Sequence, residues 1–389
     1  MCVVKIIRSL LLFLHVILHT MKEFLTVLTL LCFASACRKE PVKNDINQSA
    51  VQYSTAAIHA TESAYWDSVF TRYGNGWTGG DVAASYKLPD GRSLWLWGDS
   101  FLDTVYANRQ RPVVGFIHNQ LTTTNNSGGK FTTYYGGTKR NPLPYFQASG
   151  DDFYWPCFTF MSNNNANTYV FLDRVETFGN GAFDFKVTGV DIAVLNYPDL
   201  SVKKIIPFTR DTVVNWSGDA FESSDGFVYL FGVESTKYNK FVHVARTSKA
   251  NPLDVVYWNG SAWTTNADSS VRVLGGVSQG FSFFQYKGKQ YFLSQENLLG
   301  PNIYIWNAAS PVGPFTKKGW CILRRRKWAV LKYGRTTQKR ILNYLLATAC
   351  WLVIAPIRKQ QMDCTKMQIP TGLILYGQPT GNNIIIVLC

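Results

Sequence analysis

Three aspartates stand where a carboxyl group could do chemistry. Asp81 follows Thr78-Gly79-Gly80, Asp219 closes Trp216-Ser217-Gly218-Asp219, and Asp99 lies in Trp97-Gly98-Asp99-Ser100. Two carboxyl groups facing one cleft can divide general acid and base work, as hydrolysis of a glycosidic bond requires. An aspartate at a strand turn also caps backbone amides, so each has a structural reading beside the catalytic one. Asp99, at the end of a strand, also suits a hydrogen bond from one repeat unit to the next. Trp77, Trp155 and Trp216 sit beside the same stretches. An aromatic face can stack on a sugar ring while polar neighbours bind its hydroxyls, although cores are rich in tryptophan too.

Other chemistries find little here. The sequence has no G-x-x-x-x-G-K-[ST] loop and no nucleophile-elbow serine. Its five histidines (His15, His19, His59, His118, His243) lack metal-ligand spacing, so neither a metal nor a cofactor is expected. Cys157 has no basic neighbour and reads as a small buried residue. Glu234 and Glu296 end strands much as Asp99 does.

The elements that must position these residues read as all-β. From Ala57 the chain is short runs of Val, Phe, Tyr and Trp, punctuated by Gly, Asn, Asp and Pro. No amphipathic helix is expected before the tail. A turn followed by an aromatic strand ending in polar residues recurs at Leu88–Ser100, Asn164–Arg174, Ser223–Glu234 and Tyr286–Glu296. Each is preceded by a candidate innermost strand: Gly76–Leu88, Phe153–Ser162, Val214–Phe221 and Val277–Tyr286. Several strands per unit at this period predict the blades of a propeller, four of them before Lys318. A β-sandwich would give many short strands without such unit-to-unit similarity. The second innermost strand, Trp155-Pro156-Cys157-Phe158, offers no acid.

The chain has 389 residues, 46% of them hydrophobic, and a formal net charge of +14. No apolar run reaches the roughly 18–20 residues of a spanning helix, which excludes a polytopic membrane protein. The charge is unevenly placed. The last 73 residues, from Lys317, hold thirteen Lys or Arg and one acid, whereas residues 37–316 are neutral. A nucleic-acid reading therefore loses its main support.

Met21 to Cys37 has a basic start, an apolar stretch and small residues ending at a cysteine. Ala34-Ser35-Ala36-Cys37 resembles the lipobox of bacterial lipoproteins. That resemblance implies a signal segment over 1–36 with its true start at Met21. It also implies lipidation of Cys37 and a polar tether over 37–56. The expected place is the cell envelope, anchored through the lipid alone, at the outer membrane on its periplasmic or surface side.

After Lys318 the sequence turns basic and loses its turn residues. Back-translated and read one frame over, the tail permits an acidic, aromatic, turn-punctuated sequence, and no stop codon is forced. The expectation is a frameshift near Lys318, leaving 57–318 as blades 1–4 and 319–389 as out-of-frame peptide that replaces a fifth blade.

Gly76–Phe101, Phe153–Pro156, Phe227–Val233, Val244–Ser248 with Val256–Trp263, and Ala309–Phe315 together resemble an uncharacterised family of bacterial five-bladed β-propeller lipoproteins. More distantly, the architecture is similar to the glycoside hydrolase family 43 propellers. That likeness implies a catalytic aspartate where Asp81 stands, with Asp219 and Asp99 as further candidates. It also implies poly- or oligosaccharide as partner and a monomer that binds no nucleic acid. The neutral second strand departs from the three-acid layout of those enzymes. Two readings stay open: a glycoside hydrolase-like enzyme, or a non-catalytic glycan-binding or protein-interaction lipoprotein.

Overall fold

The computed structural model describes residues 59–61, 64–108, 111, 115–125, 130–179, 184–295 and 302–322, and the strands at 352–358, 366–368, 373–377 and 382–388. The chain divides into two compact units, 1–50 and 51–389, and every described residue lies in the second.

Turn chemistry sets the strand spacing. Each repeated strand follows a tight turn that holds at least one residue with positive φ. Asp90 Oδ1 accepts from Arg92 N–H at 3.0 Å beside Gly91 (φ 92°), and Asp225 Oδ1 accepts from Phe227 N–H at 3.1 Å beside Gly226 (φ 91°). Lys287 and Gly288 both have positive φ (47° and 74°), the pairing that matches strand twist in a two-residue hairpin.

Four antiparallel sheets follow in chain order. The first runs Ala84–Lys87, Ser93–Trp97, Gln120–Thr124 and Phe131–Tyr134. The second is Phe153–Met161, Asn167–Thr177, Phe185–Asn196 and Val202–Thr209. The third starts with Val214–Glu222, Phe227–Ser235 and Lys240–Ser248, and the fourth is Phe281–Tyr286, Lys289–Gln295, Asn302–Ala308 and Phe315–Ile322. The first strands of successive sheets are neighbours in that order.

The sheets pack face to face, so their middle strands are apolar on both sides instead of alternating. All five residues of Ser93–Trp97 are buried. Leu94, Leu96 and Leu121 meet Tyr154, Leu172 and Leu195 between the first two sheets. Phe158, Phe171 and Ile192 meet Trp216, Leu230 and Ala245 between the second and third. Phe231 and Val233 meet Phe283, Phe292 and Trp306 between the third and fourth.

Two expectations are corrected: the absence of a helix before the tail and the continuity of the first innermost strand. A seven-residue helix, Ala64–Phe70, precedes the sheets; two turns are too short for an apolar period to show in sequence. It lays Trp66 and Phe70 against Trp95, with ring centroids 6.1 and 4.7 Å apart. The first innermost strand is not continuous over Gly76–Leu88: Trp77–Gly80 pairs with Ser100–Leu102 in a separate three-stranded sheet, and Ala84–Lys87 pairs with Ser93–Trp97. The tail contributes strands: Leu352–Arg358, Lys366–Gln368, Leu373–Gly377 and Asn382–Leu388 form a fifth sheet with His59–Thr61. Runs such as Ile384-Ile385-Ile386-Val387 favour extended backbone wherever they occur. Leu352–Arg358 neighbours both Phe281–Tyr286 and Ala84–Lys87.

Phe171 is fully buried and stacks on Phe158 with centroids 4.4 Å apart. Phe171→Ala is expected to lower unfolding free energy by about 3–5 kcal/mol, read from urea denaturation of the purified chain.

Candidate functional site

The break in the first innermost strand places Asp81. Between the two half-strands, Val82 and Ala83 take left-handed φ values of 63° and 55°. That region is costly for a β-branched residue, so packing must hold it there. The backbone of Asp81 is held on both sides: its N–H donates to Asp99 O at 3.1 Å, and its carbonyl accepts from Gly98 N–H at 3.1 Å. The side chain turns inward, and the residue is 6% exposed. Its Oδ1 is buried without a hydrogen-bond partner among the described residues. A Cβ on Gly98 would lie 2.4 Å from that oxygen, so only glycine allows this approach. Burial, and then the negative charge of Asp99 beside it, push the Asp81 carboxyl well above the usual carboxylate range.

Asp99 joins two sheets. Its Oδ1 accepts from the indole Nε1–H of Trp155 at 3.0 Å and lies 2.9 Å from His118 Nδ1. Trp155 belongs to the second sheet, so this carboxylate spans from one sheet to the next. The ring of His118 in turn stacks on Phe153 at 3.9 Å. The site thus brings together Asp81, Asp99 and Trp155, and adds His118 and Phe153.

These rings belong to a longer strip. Phe101 meets Phe116 at 5.2 Å, Phe116 meets His118 at 5.7 Å, Phe153 meets Trp155 at 5.4 Å, and Trp155 meets Phe185 at 4.9 Å. All six side chains are half-buried, which is where an aromatic group can both pack and present a face.

The same residues lie within a longer match. Residues 63–342 match the family described as a domain of unknown function, DUF5005. The chain belongs to the DUF5005 family. No curated protein sequence matches it. Among solved structures, a provisionally assigned hydrolase from Bacteroides ovatus ATCC 8483 is similar at 18% identity. That alignment has a TM-score of 0.55 and covers 66% of this chain and 73% of that one. That likeness is one of fold. A glycoside hydrolase family 43 arabinoxylan arabinofuranohydrolase from Bacillus subtilis, solved with cellotetraose, aligns at 14% identity and TM-score 0.41, over 72% of this chain and 56% of its own. An α-L-arabinofuranosidase from Clostridium thermocellum ATCC 27405 aligns at 14% identity and TM-score 0.41, over 79% and 94%.

The remaining candidates of this DUF5005 chain are placed differently. Asp219 turns toward the fourth sheet, where its Oδ2 accepts from Phe283 N–H at 2.8 Å and Ser282 Oγ at 3.2 Å. Burial, opposed by those bonds, pushes its carboxyl up to about 7. Trp77 and Trp216 are corrected: at 4% and 0% exposure they offer no face to a ligand. Trp77 packs on Trp97 at 4.1 Å, and Trp216 donates its Nε1–H to Asp211 at 3.1 Å. Glu234 accepts from Arg272 and lies 3.1 Å from His243, an ion cluster within the third sheet. Cys37 and Glu296 lie outside the described residues.

Asp173 is the acid that a search of innermost strands overlooks. It lies on the second strand of its sheet, directly across from Trp155, and is 4% exposed. Asn215 of the third sheet donates to its Oδ2 at 3.3 Å. Burial pushes its carboxyl up to about 6 against bonds from Ser217, Asn215 and Cys157. A signal existed: with Trp97 aligned to Phe171, Asp99 and Asp173 occupy the same position of the repeat.

A carboxyl with a raised folded pKa stabilises the fold fully below its unfolded value and loses that contribution as pH rises through the folded value. For Asp219 that window runs from about 4 to about 7. Thermal midpoints are therefore expected to fall from about pH 5 to about pH 8, and Asp219→Asn should make that decline shallower near neutrality. Melting curves across that range are the measurement.

Proposed function

We propose that this chain is an exported, lipid-anchored five-bladed β-propeller of the bacterial cell envelope that engages carbohydrate. The neighbouring first strands of four successive sheets support the propeller. Leu352–Arg358 neighbours both Phe281–Tyr286 and Ala84–Lys87, which supports a fifth blade between them. The lipobox-like Ala34-Ser35-Ala36-Cys37 supports the anchor. We take the protein to act as a monomer. We also take the tail to be out of frame, with a native fifth sheet for that same place. Since the family match runs to residue 342, resequencing codons 318 to 342 tests this, and a continuous frame refutes it.

One observation carries the carbohydrate reading. Trp155 is half-buried, its polar edge is tied to Asp99 at 3.0 Å, and its flanks are Phe153 and Phe185. A ring so fixed presents its face with little rotamer entropy left to lose, the condition for stacking on the C–H surface of a sugar.

A second reading, hydrolysis, is favoured by Asp81 itself. A carboxyl raised above its usual range beside a second carboxylate is the kind of group that can protonate a leaving oxygen.

Glycan arrays and calorimetry on the purified protein test the first reading. Trp155→Ala is expected to weaken binding by about tenfold or more, a loss of about 1.4 kcal/mol, measured at a temperature where circular dichroism shows the variant folded. An unchanged affinity would refute it. For the second, sugar release from any polysaccharide should fall by about a hundredfold or more in Asp81→Asn. Release that survives unchanged removes Asp81 from catalysis.

A further inference from the structure

One end of the aromatic strip carries a cation. Arg111 is exposed, and its Nη2 donates to the carbonyl of Thr78 at 2.9 Å. The guanidinium sits 5.5 Å from the ring centre of Phe101, the first ring of the strip. Gly79 leaves the room: a Cβ there would stand 3.2 Å from Nη2. Among the described residues no carboxylate pairs with Arg111, as none does with Arg72, Arg140 or Arg246. One of its five donors goes to Thr78, and the side chain is held in place by that bond and the ring. A positioned guanidinium with a free edge recognises planar oxyanions with paired hydrogen bonds.

The negative groups nearby do not cancel it. Asp81 is buried, and burial with the neighbouring charge of Asp99 raises its carboxyl well above the usual range. Asp99 already faces Trp155 and His118. Asp103 accepts from Gly76 N–H at 3.0 Å and lies 3.8 Å from Lys139.

We infer that the strip from Phe101 to Phe185 binds an anionic glycan, with Arg111 receiving a sugar carboxylate or sulfate ester at one end and Trp155 stacking a ring further along. Six rings in contact exceed the footprint of a single sugar, so the ligand is an oligosaccharide. This rests on the carbohydrate reading above and adds the charge of the substrate.

The test uses matched oligosaccharides from pectin, alginate and glucuronoxylan. Each is presented native, carboxyl-reduced to the neutral sugar, and sulfated after reduction, and binding is measured by calorimetry at low and high salt. Native forms should bind at least tenfold more tightly than their reduced partners, with the preference shrinking as salt rises. Arg111→Ala should erase that preference, and Arg111→Lys should restore only part of it. Recovery by the sulfated form assigns the site to oxyanions in general; preference for the native form alone assigns it to carboxylates. Equal binding of native and reduced forms, or a preference that survives Arg111→Ala, overturns the inference and leaves the carbohydrate reading standing. Binding to none of the three overturns the inference, and the carbohydrate reading falls with it only if the glycan arrays are empty as well.

Discussion

A carboxylate removed from water costs several kcal/mol unless donors replace the solvent. In this chain three acids find donors across the gaps between sheets, which offsets part of that cost. Asp99 of the first sheet takes a hydrogen bond from Trp155 of the second, Asp173 of the second from Asn215 of the third, and Asp219 of the third from Phe283 and Ser282 of the fourth. Apolar faces can slide over one another at small cost, because the hydrophobic effect has no direction. A buried carboxylate cannot slide without losing its donor. These three links therefore set how each sheet is seated on the next, while the aromatic layers between them supply most of the stabilisation.

The candidate site is a consequence of the first link. Asp99 draws Trp155 and His118 to one oxygen, and their rings bring Phe153, Phe116 and Phe185 into line. The strand break at Asp81–Ala83 serves the same junction, since it lets Asp81 approach Gly98 while Trp77–Gly80 joins a different sheet. The second and third links are made by donors that are not aromatic, or by backbone. That difference explains why a row of half-exposed rings forms at the first junction.

The architecture was legible because it is local and repeated. Turn residues with positive φ, followed by apolar strands, recur four times, and each recurrence became a strand pair. Asp173 was legible in principle through its repeat position beside Asp99, but an acid was sought on innermost strands alone. The three tryptophans show what local pattern leaves out. Trp77, Trp155 and Trp216 stand in similar contexts, and what separates them arrives from elsewhere in the chain. Phe70 of the short helix packs on Trp77 at 5.8 Å, and Tyr257 of an outer strand packs on Trp216 at 4.8 Å. Trp155 meets Phe153 and Phe185 in T-shaped contacts and stays half-buried. Exposure is a tertiary property, and a single sequence without contacts cannot rank these three.

The charge distribution bears on how such a surface selects a ligand. Residues 37–316 balance acids and bases, so the sheets generate no large field to draw ions from a distance. Screening over about 10 Å at 0.1 M salt weakens what field there is. Any discrimination by charge must then act at contact, through a side chain whose geometry matches the ligand. Arg111, tethered to Thr78 and resting near Phe101, meets that condition, whereas the thirteen basic residues of the tail meet it only as a count. A net charge of +14 says little about recognition here, and one oriented guanidinium says more.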